Sequence, residues 1–143
     1  MESTERYTYM KDITGTTKTC ALIGNPTEHS LSPTIHNSIS FMTQNDMAYT
    51  TFCVEKDDLG DAVKGAYALG IQGMNVTVPH KENVMEHLVE IDPIAEAVGA
   101  VNTLIRVDGG FKGANTDLLG FARSLKEAGF DVKGKPACIL GAG

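Results

Sequence analysis

Short apolar, β-branched runs alternate with stretches of helical periodicity along most of the chain, and this alternation restricts the fold more than any other feature. Residues 19–23 form a compact apolar run stopped by Gly24-Asn25-Pro26, the pattern of a buried strand entering a turn. Ser32-Pro33 then predicts a helix start, with Ser32 as N-cap, Pro33 at the first helical position, and Ile35, Ile39 and Met42 facing inward. Residues 49–54 read as a second strand. Asp57 or Asp58 predicts the cap of a second helix. Its stripe Leu59, Ala62, Val63, Ala66 and Leu69 has helical spacing, and Gly70 ends it. Residues 74–78 predict a third strand. Pro79 predicts a third helix, with Val84, Leu88 and Ile91 inward, followed by a short helical segment at 93–98.

The pattern then changes. Residues 102–107 and 111–114 flank Asp108-Gly109-Gly110, which predicts a hairpin. Asp117 predicts the cap of a last helix, with Leu118, Phe121, Ala122, Leu125 and Ala128 inward and Gly129 at its end. Residues 131–136 are polar and linker-like, and 137–140 read as the start of another strand. Strands alternating with helices imply an α/β fold, a largely parallel (mixed) sheet flanked by helices. The expected division is a flexible leader over 1–16, one α/β domain over 17–130, and a linker plus strand over 131–143. At 143 residues such a chain buries enough apolar surface to fold without disulfides or a metal.

Composition removes several functions. With 18 acidic residues against 12 Lys plus Arg, the chain is not a basic nucleic-acid binder. No apolar run approaches the roughly 18 residues of a membrane span. Residues 1–19 are polar and lack the apolar core of a signal peptide. Cys20, Cys53 and Cys138 are odd in number and far apart, with no zinc-type spacing, which reads as a reducing, cytoplasmic setting.

Four segments carry polar residues where an α/β sheet binds ligands, at the carboxyl ends of strands. Glu28-His29-Ser30-Leu31-Ser32-Pro33 joins a strand to a helix start, and its two hydroxyls suit a bound carboxylate. The plainer reading is that Ser32 only caps the helix. In Asn75-Val76-Thr77-Val78-Pro79-His80-Lys81, strand alternation puts Asn75 and Thr77 on one face. Lys81 falls in the first turn of the predicted helix, where the dipole disfavours a cation, a setting that suits proton transfer. A solvated lysine paired with Glu82 or Glu86 is the competing reading. Asn102 and Asp117 are further candidates: Asn102 as a hydroxyl partner or a loop brace, Asp117 as a plain N-cap or the partner of Lys81. Gly141-Ala142-Gly143 matches the first half of a dinucleotide-binding glycine loop.

Taken in order, Gly24-Asn25-Pro26, His29-Ser30-Leu31-Ser32-Pro33, Asn75-Val76-Thr77-Val78-Pro79-His80-Lys81, Ala100-Val101-Asn102-Thr103, Asn115-Thr116-Asp117 and Gly141-Ala142-Gly143 resemble the shikimate dehydrogenase family. The likeness is to its N-terminal, substrate-binding domain, with residues 131–143 as the linker and first strand of a truncated Rossmann domain. It implies reversible reduction of 3-dehydroshikimate to shikimate with NADPH, in aromatic amino-acid biosynthesis. It assigns Ser30 and Ser32 to the substrate carboxylate, and Thr77, Asn102 and Asp117 to ring hydroxyls, with Asn75 supporting the same face. Lys81 and Asp117 become the proton-exchanging pair, and Gly141, Ala142 and Gly143 an incomplete NADP loop. The motifs stop at Gly143, so the 143 residues are expected to bind substrate weakly and not to turn over, and an uncovered apolar patch would favour self-association. A quinate/shikimate dehydrogenase and a non-catalytic hydroxy-acid-binding paralogue are the alternatives, and the choice between NADP and NAD stays open.

Overall fold

The computed structural model describes residues 12–138 and 140. Six strands form one mixed sheet: β1 (Lys18–Gly24), β2 (Met47–Cys53), β3 (Gly73–Val76), β4 (Glu90–Ile91), β5 (Thr103–Val107) and β6 (Gly110–Ala114). Their order across the sheet is β2-β1-β3-β5-β6-β4. β1 pairs parallel with β2 and β3, β5 runs antiparallel to β3 and β6, and β4 is parallel to β6. The α-helices are α1 (Ser32–Met42), α2 (Leu59–Ala68), α3 (Pro93–Val98) and α4 (Asp117–Glu127). No helix among the described residues is long and apolar enough to cross a membrane.

The core lies on one face of the sheet. Ala21, Ile23, Met74, Val76 and Leu104 point from the strands toward Leu59, Val63 and Ala66 of α2, and Val84, Ala95, Val101 and Phe111 complete the cluster. This is the stripe expected of α2, except that Leu69 is exposed at the helix end. Gly70 follows in the left-handed region at φ 79°, a conformation that favours glycine.

α1 departs from expectation. Ile35, Ile39 and Met42 are exposed, Met42 at 78%, while Pro33, His36, Asn37 and Ser40 turn inward at helical spacing. The cause is β2, an edge strand whose outer backbone groups lack a strand partner. Asn37 Nδ2 donates to Tyr49 O at 2.9 Å, and its Oδ1 accepts from Tyr49 N–H at 2.8 Å. The Ser40 hydroxyl lies 2.8 Å from both Asn45 O and Met47 O, and donates to either. The helix therefore acts as the missing neighbour of an edge strand, and its polar side faces the protein.

Three further expectations are corrected. The helix predicted after Pro79 is a single 3₁₀ segment, Asn83–His87. Val89 N–H bonds to Phe111 O, and Glu90–Ile91 pair with β6, so strand pairing takes the chain away before a second helical turn forms. Val84 is buried, and Leu88 and Ile91 pack on the core as expected. α4 forms, but none of its residues is buried, and Leu118 and Phe121 are exposed. No strand forms at residues 137 and 138, which pair with none of the six strands, and residue 140 is a bend. Gly141, Ala142, Gly143 and residues 1–11 of the expected leader lie outside the described residues.

Candidate functional site

Ser30, Ser32 and Thr77 gather at the carboxyl ends of β1 and β3, where several backbone bonds stitch the loops together, while Lys81, Asn102 and Asp117 form a second cluster. Thr77 N–H bonds to Ile23 O at 3.0 Å, Asn25 N–H to Val78 O at 3.0 Å, and Val54 N–H to Gly24 O at 3.0 Å. Gly24 allows this approach, since a Cβ there would collide with Thr77 Cγ2 and press on Val78 O at 3.1 Å. The Asn25-Pro26 and Val78-Pro79 peptide bonds, both cis, lie in these two loops. Between them opens a cavity of about 300 Å³ lined by Leu22, Pro26, His29, Ser30, Ser32 and Thr77.

Both helix starts at the site are capped differently from expectation. The N-cap position of α1 is Leu31, with no side-chain cap, so Ser32 lies inside the helix. Ser30 Oγ accepts the Ser32 N–H at 3.2 Å, which leaves the Ser32 hydroxyl on the cavity wall. At α4, Asn115 rather than Asp117 does the local work. Asn115 is buried; its Oδ1 accepts the Leu118 N–H at 3.1 Å and its Nδ2 donates to Ala100 O at 2.9 Å. The Asp117 carboxylate is thereby released from capping.

Asp117 instead accepts from Lys81 Nζ at 2.6 Å, across 36 positions of sequence. The two side chains are 57% and 33% exposed respectively, so the pair is open to solvent. The Lys81 hydrogen bond holds the Asp117 carboxyl below the ordinary carboxylate range, opposed by partial burial and aided by Asn102. Lys81 is not in a helical first turn, as predicted, but in the turn before Asn83–His87. Its carbonyl accepts from Val101 N–H at 2.8 Å. The neighbouring His80 is fully buried and donates Nε2–H to Val54 O at 2.7 Å, anchoring the turn from below.

Asn102 is buried, and both ends of its amide are braced by neighbours. Its Nδ2 donates to Thr116 Oγ1 at 2.8 Å, and its Oδ1 accepts from Thr103 Oγ1 at 2.8 Å and Thr116 N–H at 3.0 Å. Asn75 does not line the 300 Å³ cavity. It opens onto an adjoining cavity of about 240 Å³ on the same sheet face, with Cys20, His36, Tyr49 and Thr103. Tyr49 stands outside the motifs read from the sequence, and Thr116 and His29 enter them without an assigned role. For Tyr49 a signal existed: a tyrosine within a strand needs a partner for its hydroxyl when buried.

The arrangement offers hydroxyls at a helix start, a threonine on a strand end, and an ammonium–carboxylate pair. The hydroxyls beside a helix start can receive an anion, and the ammonium–carboxylate pair can exchange a proton. Among the described residues no glycine-rich strand-to-helix turn is present to cradle a dinucleotide: the turns after β1 and β3 carry Pro26 and Pro79.

Residues 22–104 match the family model of the shikimate dehydrogenase substrate binding domain. A shikimate dehydrogenase (NADP(+)) of Caldanaerobacter subterraneus is 52% identical over 131 residues, covering 92% of this chain and 47% of that protein. One of Moorella thermoacetica is 48% identical over 134 residues, covering 94% of this chain and 45% of the relative. The crystal structure of shikimate 5-dehydrogenase from Listeria monocytogenes, in complex with shikimate and NAD, superposes with a TM-score of 0.81 at 43% identity, over 87% of this chain and 43% of that one. The chain thus spans about half the length of the curated relatives it matches.

Proposed function

This chain belongs to the shikimate dehydrogenase family, through its substrate-binding domain, and on that premise we propose that it supplies the substrate-holding side of an enzyme interconverting 3-dehydroshikimate and shikimate. The observation that carries the proposal is the Lys81–Asp117 contact at 2.6 Å. Two segments 36 residues apart meet there, beside the buried Asn102.

In this reading the Ser30 and Ser32 hydroxyls receive the substrate carboxylate beside the positive end of α1. Thr77, Asn102 and Asp117 meet the ring hydroxyls, with Asn75 on the same sheet face. In the reductive direction Lys81 Nζ gives a proton to the ketone oxygen as it becomes a hydroxyl. In the oxidative direction it takes that proton back. Asp117, charged at neutral pH, holds Nζ in place and accepts from the adjacent substrate hydroxyl. NADPH would supply the hydride. The binding and proton steps are those this chain's own residues are assigned. The reading includes a reducing, cytoplasmic setting, in keeping with the free Cys20, Cys53 and Cys138, and self-association through exposed apolar surface.

Calorimetric titration of the 143-residue chain tests the proposal. Shikimate should bind, and Lys81→Ala or Asp117→Ala should weaken it by about tenfold or more, the loss expected when a charge-assisted hydrogen bond is removed. Equal or tighter binding of quinate would move the substrate to that acid. No binding of either would refute the reading.

A further inference from the structure

Tyr49 is buried, yet it belongs to the edge strand and lies outside every motif that points to the substrate. Its position is over-determined. Asn37 grips its backbone N–H and C=O together. The His36 ring stacks on its ring at 4.2 Å between centroids, with the planes 11° apart. The phenol reaches across β1 to β3 and donates to Asn75 Oδ1 at 2.7 Å.

The orientation of the Asn75 amide follows. On its other side the amide reaches Asn102 O, at 3.5 Å. A carbonyl only accepts, so the NH₂ must face it and the Oδ1 must face Tyr49. That contact uses only one of the two N–H donors of Nδ2, so the other keeps hydrogen-bonding capacity for a ligand oxygen. Leu22, the register partner of Asn75 on β1, lines the 300 Å³ cavity, as does Thr77, just past the end of β3 and two residues beyond Asn75. Asn75 therefore stands at the border of that cavity.

Resting on the reading that this chain binds shikimate, we propose that Tyr49 is a positioning residue. The Asn102 carbonyl sets which way the Asn75 amide faces, and the Tyr49 hydroxyl, donating to Oδ1, locks it there so that β3 presents a donor, not an acceptor, to a substrate oxygen. Burial pushes the Tyr49 phenol up to about 12, so its proton is present throughout the working range and the lock does not switch with pH. Stacking on His36 and the grip of Asn37 keep the ring in place when the hydroxyl alone is removed. Tyr49→Phe is therefore a clean cut of the lock.

The experiment is a binding cycle on the 143-residue chain with shikimate and its three monodeoxy analogues. Tyr49→Phe should weaken shikimate binding about five- to tenfold, as should Asn75→Ala, and the double variant should be no weaker than Asn75→Ala alone. One deoxy analogue, lacking the oxygen that Asn75 meets, should bind wild type and Tyr49→Phe equally, a result a merely structural role would not give. Unchanged shikimate binding in Tyr49→Phe, or losses that add in the double variant, would overturn the inference. If wild type itself does not bind shikimate, the proposed function fails first. The lock is then read without ligand, from the Asn75 side-chain NH₂ signals in ¹H–¹⁵N spectra. Those signals should shift in Tyr49→Phe and stay in Tyr67→Phe; unshifted signals in Tyr49→Phe would refute it.

Discussion

α1 and α2 carry apolar residues at the same helical spacing, and they use them oppositely. α2 turns Leu59, Val63 and Ala66 into the core. α1 turns Ile35, Ile39 and Met42 to solvent and presents His36, Asn37 and Ser40 to the sheet. Both helices follow a strand and precede a parallel one, so their chain context is alike. What differs is the surface each covers. α2 lies over a sheet face of side chains, whereas α1 serves the backbone edge of β2. A periodic stripe thus names a helix but not its buried side.

The largest test of this contrast is Leu59→Ala on α2. Leu59 is 1% exposed, and its truncation should cost about 2–5 kcal/mol in urea unfolding. Ile35→Ala on α1 should stay within about 0.5 kcal/mol of wild type. Similar losses at the two positions would erase the distinction.

The next test inverts the usual rule. Asn37→Leu makes the inner side of α1 more apolar at similar volume, and it should still destabilise by about 1–3 kcal/mol. Tyr49 N–H and C=O would be left without their partner. A neutral or stabilised Asn37→Leu protein would mean that burial, not edge pairing, sets the orientation of α1.

The same distinction explains what the sequence let a reader see. β1, β2, α2 and the hairpin closed by Gly109 at φ 85° were legible, because each depends on local pattern and a turn residue. β4 was not, since two residues carry no periodicity and exist as a strand only through β6. In the site, Lys81, Asp117, Ser30, Ser32, Thr77, Asn75 and Asn102 were nameable from motifs. Their division of labour was not. Ser32 and Asp117 look like N-caps in a linear reading. Only the fold shows Ser30 and Asn115 serving the helix starts, with Ser32 on the cavity wall and Asp117 on Lys81. Capping is a competition among neighbours for the same N–H groups, and its outcome depends on where the flanking loop is tied.

That competition gives a smaller effect with a definite pH dependence. The Lys81–Asp117 pair is largely solvated, so a double-mutant cycle with Lys81→Ala and Asp117→Ala should return a coupling of about 0.2–1 kcal/mol at neutral pH. The folded-state pKa of Asp117 lies below its unfolded value. The contribution is therefore fully present above the unfolded carboxylate range, and is lost as pH falls through the depressed folded value. Coupling that instead grew on acidification would contradict the pair as drawn. Asn115→Ala should be pH-independent over the same interval, because its bonds are to backbone groups.

The smallest effect on stability belongs to the outer side of α1, and it sharpens the opening contrast most. No Asp, Glu, Lys or Arg lies between Glu28 and Asp46, in a chain of net charge −6. Leu31, Ile35, Ile39 and Met42 thus form an exposed apolar face without a neighbouring charge on the same helix. Two copies of an acidic chain repel broadly, so contact is favoured where charge is missing. The variant Ile35→Lys/Ile39→Lys should unfold within about 0.5 kcal/mol of wild type, because both side chains are exposed. Its sedimentation should nevertheless lose any concentration dependence shown by wild type. Leu118→Lys/Phe121→Lys on α4 is the control, since that exposed face lies beside Arg123 and Lys126. If the α4 variant abolishes association and the α1 variant does not, the self-contact lies on α4. If wild type sediments as a monomer at about 100 µM, the apolar side of α1 makes no self-contact of useful strength.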